Sequence, residues 1–205
     1  MKTKFFTVLA ASAMLLASCG ESNSTEANTS NVVDSAATYT LDVATSKVEW
    51  KGEVAGVYGH HGYVNFASGK LVFNDSALIG GEFVVDMKNI FPTDSGYTSE
   101  KGHGKADLVA HLSTKDFFAT DSFPTSTFVI KSVEGNTVKG ILTVRGKSNE
   151  ETLNITSIKN ENGTVTASGT LVFDRQKYDV AWVHFMKDMV LSDNISLNIS
   201  VVAKK

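Results

Sequence analysis

Imidazole is a common metal ligand and the usual general base near neutral pH, so the histidines are the first place to look for chemistry. There are five: His60, His61, His103, His111 and His184. His60 and His61 are adjacent, and neighbours on a strand face opposite sides, so they do not converge on one ion. No H-E-x-x-H or C-x-x-C spacing occurs, and the patterns that announce a structural zinc are missing. A looser site assembled across space from His60, His103, His111 or His184 is left open. No G-x-S-x-G elbow, phosphate-binding loop or G-x-G-x-x-G turn is present. Gly102-His103-Gly104 reads as a mobile turn. Without a nucleophile, a base and an orienting group, the chain reads as a binding protein and not an enzyme, with no resident metal or cofactor.

Arginine usage carries a sharper signal. The chain has seventeen lysines and two arginines, Arg145 and Arg175, each following a strand-like run in LTVRGK and LVFDRQ. Arginine is preferred to lysine where a planar, bidentate donor must meet a carboxylate or phosphate. One reading has an arginine holding an anionic head group such as a diphosphate. The other has each making a structural ion pair, with Asp174 adjacent to Arg175 and Asp116 elsewhere in the chain. For Arg175 the ion pair is preferred; for Arg145 both readings stand. Trp50 and Trp182 fall on the apolar faces of their segments, and His184 shares the side of Trp182. A histidine there is ordinarily a satisfied core residue, and it is also able to donate to a head group.

The elements that must position these residues show a period of two. Val48, Trp50, Gly52 and Val54 share one face, against Lys47, Glu49, Lys51 and Glu53. The same alternation groups Gly81, Phe83, Val85 and Met87; Val138, Gly140, Leu142 and Val144; Leu153 and Ile155; and Val165, Ala167, Gly169, Leu171 and Phe173. It is cleanest in Ile195, Leu197, Ile199 and Val201. Half-buried antiparallel strands read this way. Turn residues separate them at Asn74-Asp75-Ser76, Glu134-Gly135-Asn136 and Asn160-Glu161-Asn162-Gly163. Residues 88 to 124 break the pattern, and Leu108, Val109 and Leu112 predict a short helix around 105 to 113. The expectation is an all-β protein of about eight to ten strands that close or pair face to face. Gly52, Gly56, Gly81, Gly140 and Gly169 recur in register with core positions. They mark bulges and coiled points, or they leave the middle hollow; the two readings are compatible.

The amino terminus is not part of that domain. Residues 1–18 begin with Lys2 and Lys4, run apolar from Phe5 to Ala17, and end in small residues, the layout of an export signal. Leu16-Ala17-Ser18-Cys19 resembles the lipobox of bacterial lipoproteins, whose cysteine is acylated; the alternative is a plain secretory signal. Cys19 is the single cysteine, so no internal disulfide is available. Residues 19–38 read as the lipidated cysteine and a Ser/Thr/Asn-rich flexible tether, and 39–205 as the domain. Two or three acyl chains anchor durably, at about 0.8 kcal/mol per buried methylene. The expectation is an exported bacterial lipoprotein of the cell envelope, held at the outer membrane. Loss of Lys2 and Lys4 takes the formal charge from −3 to −5, which argues against nucleic acid.

One loop-like stretch is unusually aromatic. HLSTKDFFATDSFPTSTF carries Phe117, Phe118, Phe123 and Phe128, which either plug the end of a core or line the way into a cavity. Together with GHHGYVNFASGKLVF, GGEFVVDMKNI, KGILTVRGKS and GTLVFDRQKYDV, this stretch resembles the YceI-like family, over roughly residues 39 to 203. His111, Leu112, Ser113, Asp116, Phe117 and Phe118 fit the family's H-L-x-S-x-D-F-F, and Pro124 and Phe128 its Y-P-x-x-x-F, with Phe123 in place of tyrosine. The resemblance implies an antiparallel lipocalin-like barrel of about eight strands, with a helix in the long connection and a tunnel for polyisoprenoids or similar amphiphiles. The ligand-binding residues expected on that footing are Trp50, His60, Phe83, His111, Phe117, Phe128, Leu142, Arg145, Trp182 and His184. Two rivals remain: a non-enzymatic interaction or stress-response module with a filled core, and a metal or redox accessory. Edge-sharing homodimers are compatible with an open barrel.

Overall fold

Alternating apolar residues become strands that bury one face, and in the computed structural model those strands join into one antiparallel sheet. The structure describes residues 36–54, 57–100, 102–183 and 190–205. The signal segment, Cys19, Gly56 and His184 lie outside them. The strands are β1 (Ala36–Leu41), β2 (Lys47–Val54), β3 (Tyr58–Asn74), β4 (Ala77–Pro92), β5 (Thr125–Glu134), β6 (Thr137–Val144), β7 (Lys147–Glu161), β8 (Thr164–Asp174) and β9 (Asn194–Lys204). One helix, α1 (Lys105–Ser113), sits in the β4–β5 connection where the leucine spacing puts it. Asp107 reaches back to accept the Gly104 N–H at 3.0 Å and so closes its first turn.

Consecutive strands pair in order from β2 to β9, and β9 returns to β2, so eight strands form a closed ring. The remaining strand adds no new position. β1 pairs with the end of β3 (Thr38 opposite Val72) and the end of β9 (Leu41 opposite Ala203), while β2 pairs with earlier β3 and β9 residues. The two are one barrel strand interrupted by residues 42–46. Val202 stitches the break: its N–H donates to Ser46 Oγ at 2.9 Å and its carbonyl accepts the Asp42 N–H at 2.8 Å. Ser46 is accordingly buried. Ring closure leaves no free edge among these strands for edge-sharing dimers. The strand starts earlier than the sequence suggests. Ala36, Ala37 and Thr38, assigned to the tether on composition, pair with Asn74, Phe73 and Val72, because register and not hydrophobicity recruits them.

The two ends of the barrel differ. Short turns close one end, and the Asn162-Gly163 turn has positive φ at both positions, the geometry that matches hairpin twist. That end is plugged by Tyr39, Phe73, Val165 and Ala203, all buried. Tyr39 and Phe73 meet edge to face at 5.4 Å, and Asn160 Nδ2 donates to the Tyr39 hydroxyl at 3.1 Å. The long connections gather at the other end, the mouth. The core-face glycines resolve unequally. A Cβ at Gly140 would collide with the Phe128 ring, and at Gly81 and Gly169 it would meet carbonyl oxygens at 2.7 and 2.9 Å. Only at Gly52 does space remain, with Ile195 Cδ1 at 3.4 Å. Three missing side chains are thus compensated by neighbours, and one opens inward.

Phe73→Ala removes the centre of the plug, and we expect it to lower the unfolding free energy by about 3–5 kcal/mol, read from denaturant titration.

Candidate functional site

Above the plug the strands enclose a cavity of about 290 Å³. Its wall is the set of alternating apolar residues: Val48 and Trp50 from β2, Phe83 and Val85 from β4, Leu142 from β6, Leu171 from β8, Leu197 and Ile199 from β9. Toward the mouth it is framed by Leu108, His111 and Leu112 of α1, then by Phe117, Phe118 and Trp182. Of the expected binding residues, Trp50, His60, Phe83, His111, Phe117, Phe128, Leu142 and Trp182 all line this one cavity. His184 lies outside the described residues.

The aromatic stretch forms the lid of the wall and not a loose loop. After α1 the chain folds into tight turns, with the Phe118 N–H donating to Leu112 O at 3.1 Å and the Ala119 N–H to Thr114 O at 2.8 Å. This turns Phe117 and Phe118 inward, 4.9 Å apart and edge to face. Phe117 and Trp182 also bracket His111, with ring centroids at 5.5 and 4.8 Å. Burial pushes the His111 imidazole down from its ordinary value, partly opposed by Asp116, so it stands neutral at physiological pH. Phe123 plays a different part. Its ring lies over Gly146, where a Cβ would sit 2.7 Å from Cε1, and so clasps the β6–β7 turn from outside the cavity wall.

Arg145 departs from both the head-group and the ion-pair readings, whereas Arg175 makes the structural ion pair preferred for it, with a different carboxylate. Arg145 is absent from the cavity wall. Its Nη1 donates to Asp179 O and its Nη2 to Lys115 O at 2.5 Å, bracing the mouth loops. The turn that carries it, Arg145-Gly146, has positive φ at both residues and directs the side chain across the barrel end. Arg175 is 2% exposed and spends its whole guanidinium on the connection that follows it. It donates to Ser192 O at 3.0 Å, Val180 O at 2.6 Å, Trp182 O at 3.0 Å and Leu191 O at 3.4 Å. Its carboxylate partner is Asp193, at 3.1 Å, and not the neighbouring Asp174. Carbonyls in irregular backbone need donors, and a five-donor fork supplies several at once.

A polar cluster at the mouth was not legible in the sequence. Asp94, buried, accepts from His60 Nδ1 at 2.9 Å, from the Tyr97 hydroxyl at 2.7 Å and from the His61 N–H at 3.2 Å. His60 also stacks on Tyr97, with centroids 5.7 Å apart, and Tyr58 meets it edge on. Gly62 permits this arrangement: a Cβ there would strike the Phe91 carbonyl, so the end of β4 could not lie close enough to bring Asp94 over β3. Burial pushes the Asp94 carboxyl up, but hydrogen bonds from His60, Tyr97 and the His61 N–H outweigh it and hold the group below the ordinary carboxylate range. Burial and the adjacent Asp94 push the Tyr97 phenol up, so it stays a donor. His60 faces the cavity from this cluster. Among the described residues no group of three or more His, Cys, Asp or Glu is placed to hold a metal ion. Among them, too, no helix is long and apolar enough to cross a membrane.

Known proteins resemble this chain at two levels. Residues 39–203 match the family model described as the YceI-like domain. A UPF0312 protein of Staphylococcus aureus strain USA300 is 40% identical over 76 residues, 34% of this chain and 44% of that protein. Another, of strain MSSA476, is 51% identical over 45 residues, 22% of this chain and 26% of its own length. The chain thus spans less than half the length of these curated relatives. Among solved structures, BcnA of Burkholderia cenocepacia superposes with a TM-score of 0.63 at 20% identity, over 80% of this chain and 99% of that one. A polyisoprenoid binding domain from Saccharophagus degradans gives 0.55 at 11% identity, over 81% and 97%. At these identities the superpositions speak for the fold.

Asp94→Asn tests the mouth cluster. A carboxyl held low in the folded state stabilises above its unfolded value near 3.8 and stops doing so as pH falls through the folded value. The variant should be less stable than the parent by about 1–3 kcal/mol at neutral pH. The gap should narrow steadily as unfolding is measured at pH values descending through the carboxylate range.

Proposed function

The chain belongs to the YceI-like family, and on that premise we propose that its barrel binds a long-chain amphiphile, a polyisoprenoid or fatty-acyl lipid, within the cavity. The observation that carries the reading is the cavity itself: about 290 Å³ of space walled by apolar side chains, in a protein class whose interiors normally pack at crystal density. Removing apolar chain from water is worth about 25 cal/mol per Å², from which the ordering of a flexible ligand is subtracted. The polyisoprenoid binding domain that shares this fold supports an isoprenoid chain as one ligand class. A filled-core interaction module is disfavoured by the same hollow.

The binding is non-catalytic in this reading, and the role is that of a carrier or sequestering protein. The lipobox-like Leu16-Ala17-Ser18-Cys19 supports attachment to a membrane through an acylated Cys19, with the barrel held in the cell envelope at the outer membrane.

Organic extraction of the purified protein followed by mass spectrometry should recover a lipid at close to one equivalent. Gly52→Leu fills the one inward-facing gap at the wall and should cut that loading about tenfold, a loss of 1.4 kcal/mol, while circular dichroism stays that of the parent. An empty extract from the parent protein refutes the reading.

A further inference from the structure

The three most exposed large apolar side chains among the described residues are Val183, Val190 and Val57, at 75%, 63% and 56%, and all three lie at the mouth. Val57 belongs to the turn between β2 and β3, where its N–H donates to Val54 O at 3.0 Å. Tyr58, 44% exposed, pairs with Val54 at the start of β3. The other two valines come from the connection after β8. Leu191 bridges to the same Val54, and the Ser192 N–H donates to Glu53 O at 2.8 Å, which sets Val190 beside that turn. Val183 follows Trp182, and one guanidinium, that of Arg175, holds the carbonyls of both Trp182 and Leu191. Two segments distant in sequence thus raise apolar side chains on one part of the rim.

A single exposed valine needs no explanation, but a group of them around an opening does. Tyr58, Trp182 and Leu191, the immediate neighbours of the three valines, line the cavity, so apolar surface continues from the wall to the outside of the rim. The charges on the same hairpin cancel, with Lys51 and Glu53 in an ion pair at 2.5 Å. Such a surface suits the interfacial layer of a bilayer, where aliphatic groups bury and a tyrosine keeps its hydroxyl wet. The amphiphile reading of the cavity supplies the same partner: an alkyl chain that moves straight from a bilayer into the cavity never exposes its surface to water.

The chain outside the domain is long enough to allow this. From Cys19 to Ala36 is seventeen residue steps, at most about 56–61 Å of extended chain. β3, seventeen residues, runs from mouth to base, about 56 Å along the strand and about 40–46 Å along the axis of a barrel whose strands tilt by about 35–45°. An anchor at Cys19 therefore leaves slack for the mouth, and not only the base, to meet the membrane that holds it.

We infer that the mouth rim is a docking surface for a lipid bilayer, with Val57, Tyr58, Val183 and Val190 seated in its interfacial layer, and that lipid enters the cavity through this contact. This rests on the reading that the cavity holds an amphiphile, and it adds the route by which the ligand arrives.

The test follows cis-parinaric acid, a fluorescent fatty acid, as it moves from phosphatidylcholine vesicles to the delipidated full chain, read by energy transfer from Trp50 and Trp182 in the cavity wall. With protein in excess, transfer by contact speeds up in proportion to protein concentration, whereas transfer through water is capped by desorption and stays flat. The parent should show the first behaviour. Val57→Ser, Val183→Ser and Val190→Ser together should slow transfer at least about fivefold, while the final loading and the thermal midpoint stay those of the parent. Ile79→Ser removes an exposed apolar side chain at the sealed base and should leave the rate unchanged. The inference is overturned by a flat rate, by a triple variant as fast as the parent, or by equal slowing in Ile79→Ser. It is also overturned if gel filtration shows a parent dimer that the triple variant breaks, which makes a second copy the partner. In each of these cases probe loading still upholds the cavity reading. If the probe never loads, that reading fails and the inference falls with it.

Discussion

Closing eight antiparallel strands into a ring fixes a radius before any side chain is chosen. At eight strands that radius is on the boundary between a core that side chains fill and one that holds a guest. Here the choice is made differently along the axis. Tyr39, Phe73, Val165 and Ala203 fill one end, and further along the same apolar faces leave about 290 Å³. The ring in turn depends on a strand that is broken. β1 and β2 share one position, and the serine stitch to Val202 lets the break occur without leaving β9 unpaired.

The mouth is organised by a different currency. Its segments lack ladder partners, so their carbonyls must find donors elsewhere. Arg175 collects Val180, Trp182, Leu191 and Ser192, thereby holding together the two flanks of one connection. Arg145 ties the turns after α1 to the backbone at Asp179. In a chain with seventeen lysines, arginine is kept at the two places where several carbonyls must be met by one rigid side chain.

What could be read in the sequence follows from how local each cause is. The strand faces were legible, because alternation is a property of neighbours and the wall of the cavity is those same faces. The helix at Lys105–Ser113 was legible for the same reason. The start of β1 was not: Ala36 and Ala37 carry no strand signal and are recruited by residues some thirty-five positions away in β3. Asp94 and Tyr97 lie in a stretch of Ser, Gly and Thr, and nothing local ties them to His60. The structural ion pair expected of Arg175 is present, with Asp193 in place of Asp174, but the role of Arg145 and the carbonyl contacts of both arginines were missed because the partner classes considered were charged groups. Backbone carbonyls, present everywhere, leave no trace in composition. The glycines at 81, 140 and 169 were ambiguous in the sequence, and packing by Phe128 and by neighbouring backbone decided them.

Chain direction adds a consequence of the plug. β1 begins at Ala36 beside the β3–β4 turn, and β9 finishes at Lys204, where the Lys205 N–H donates to Gly163 O in the β7–β8 turn. Both ends of the fold therefore leave from the sealed base. A barrel held to a surface, a resin or a fusion partner directly at Ala36 or at Lys205 stands base-down, with its opening turned away from the attachment. Orientation on a support comes built into the topology and requires no engineered handle on the rim.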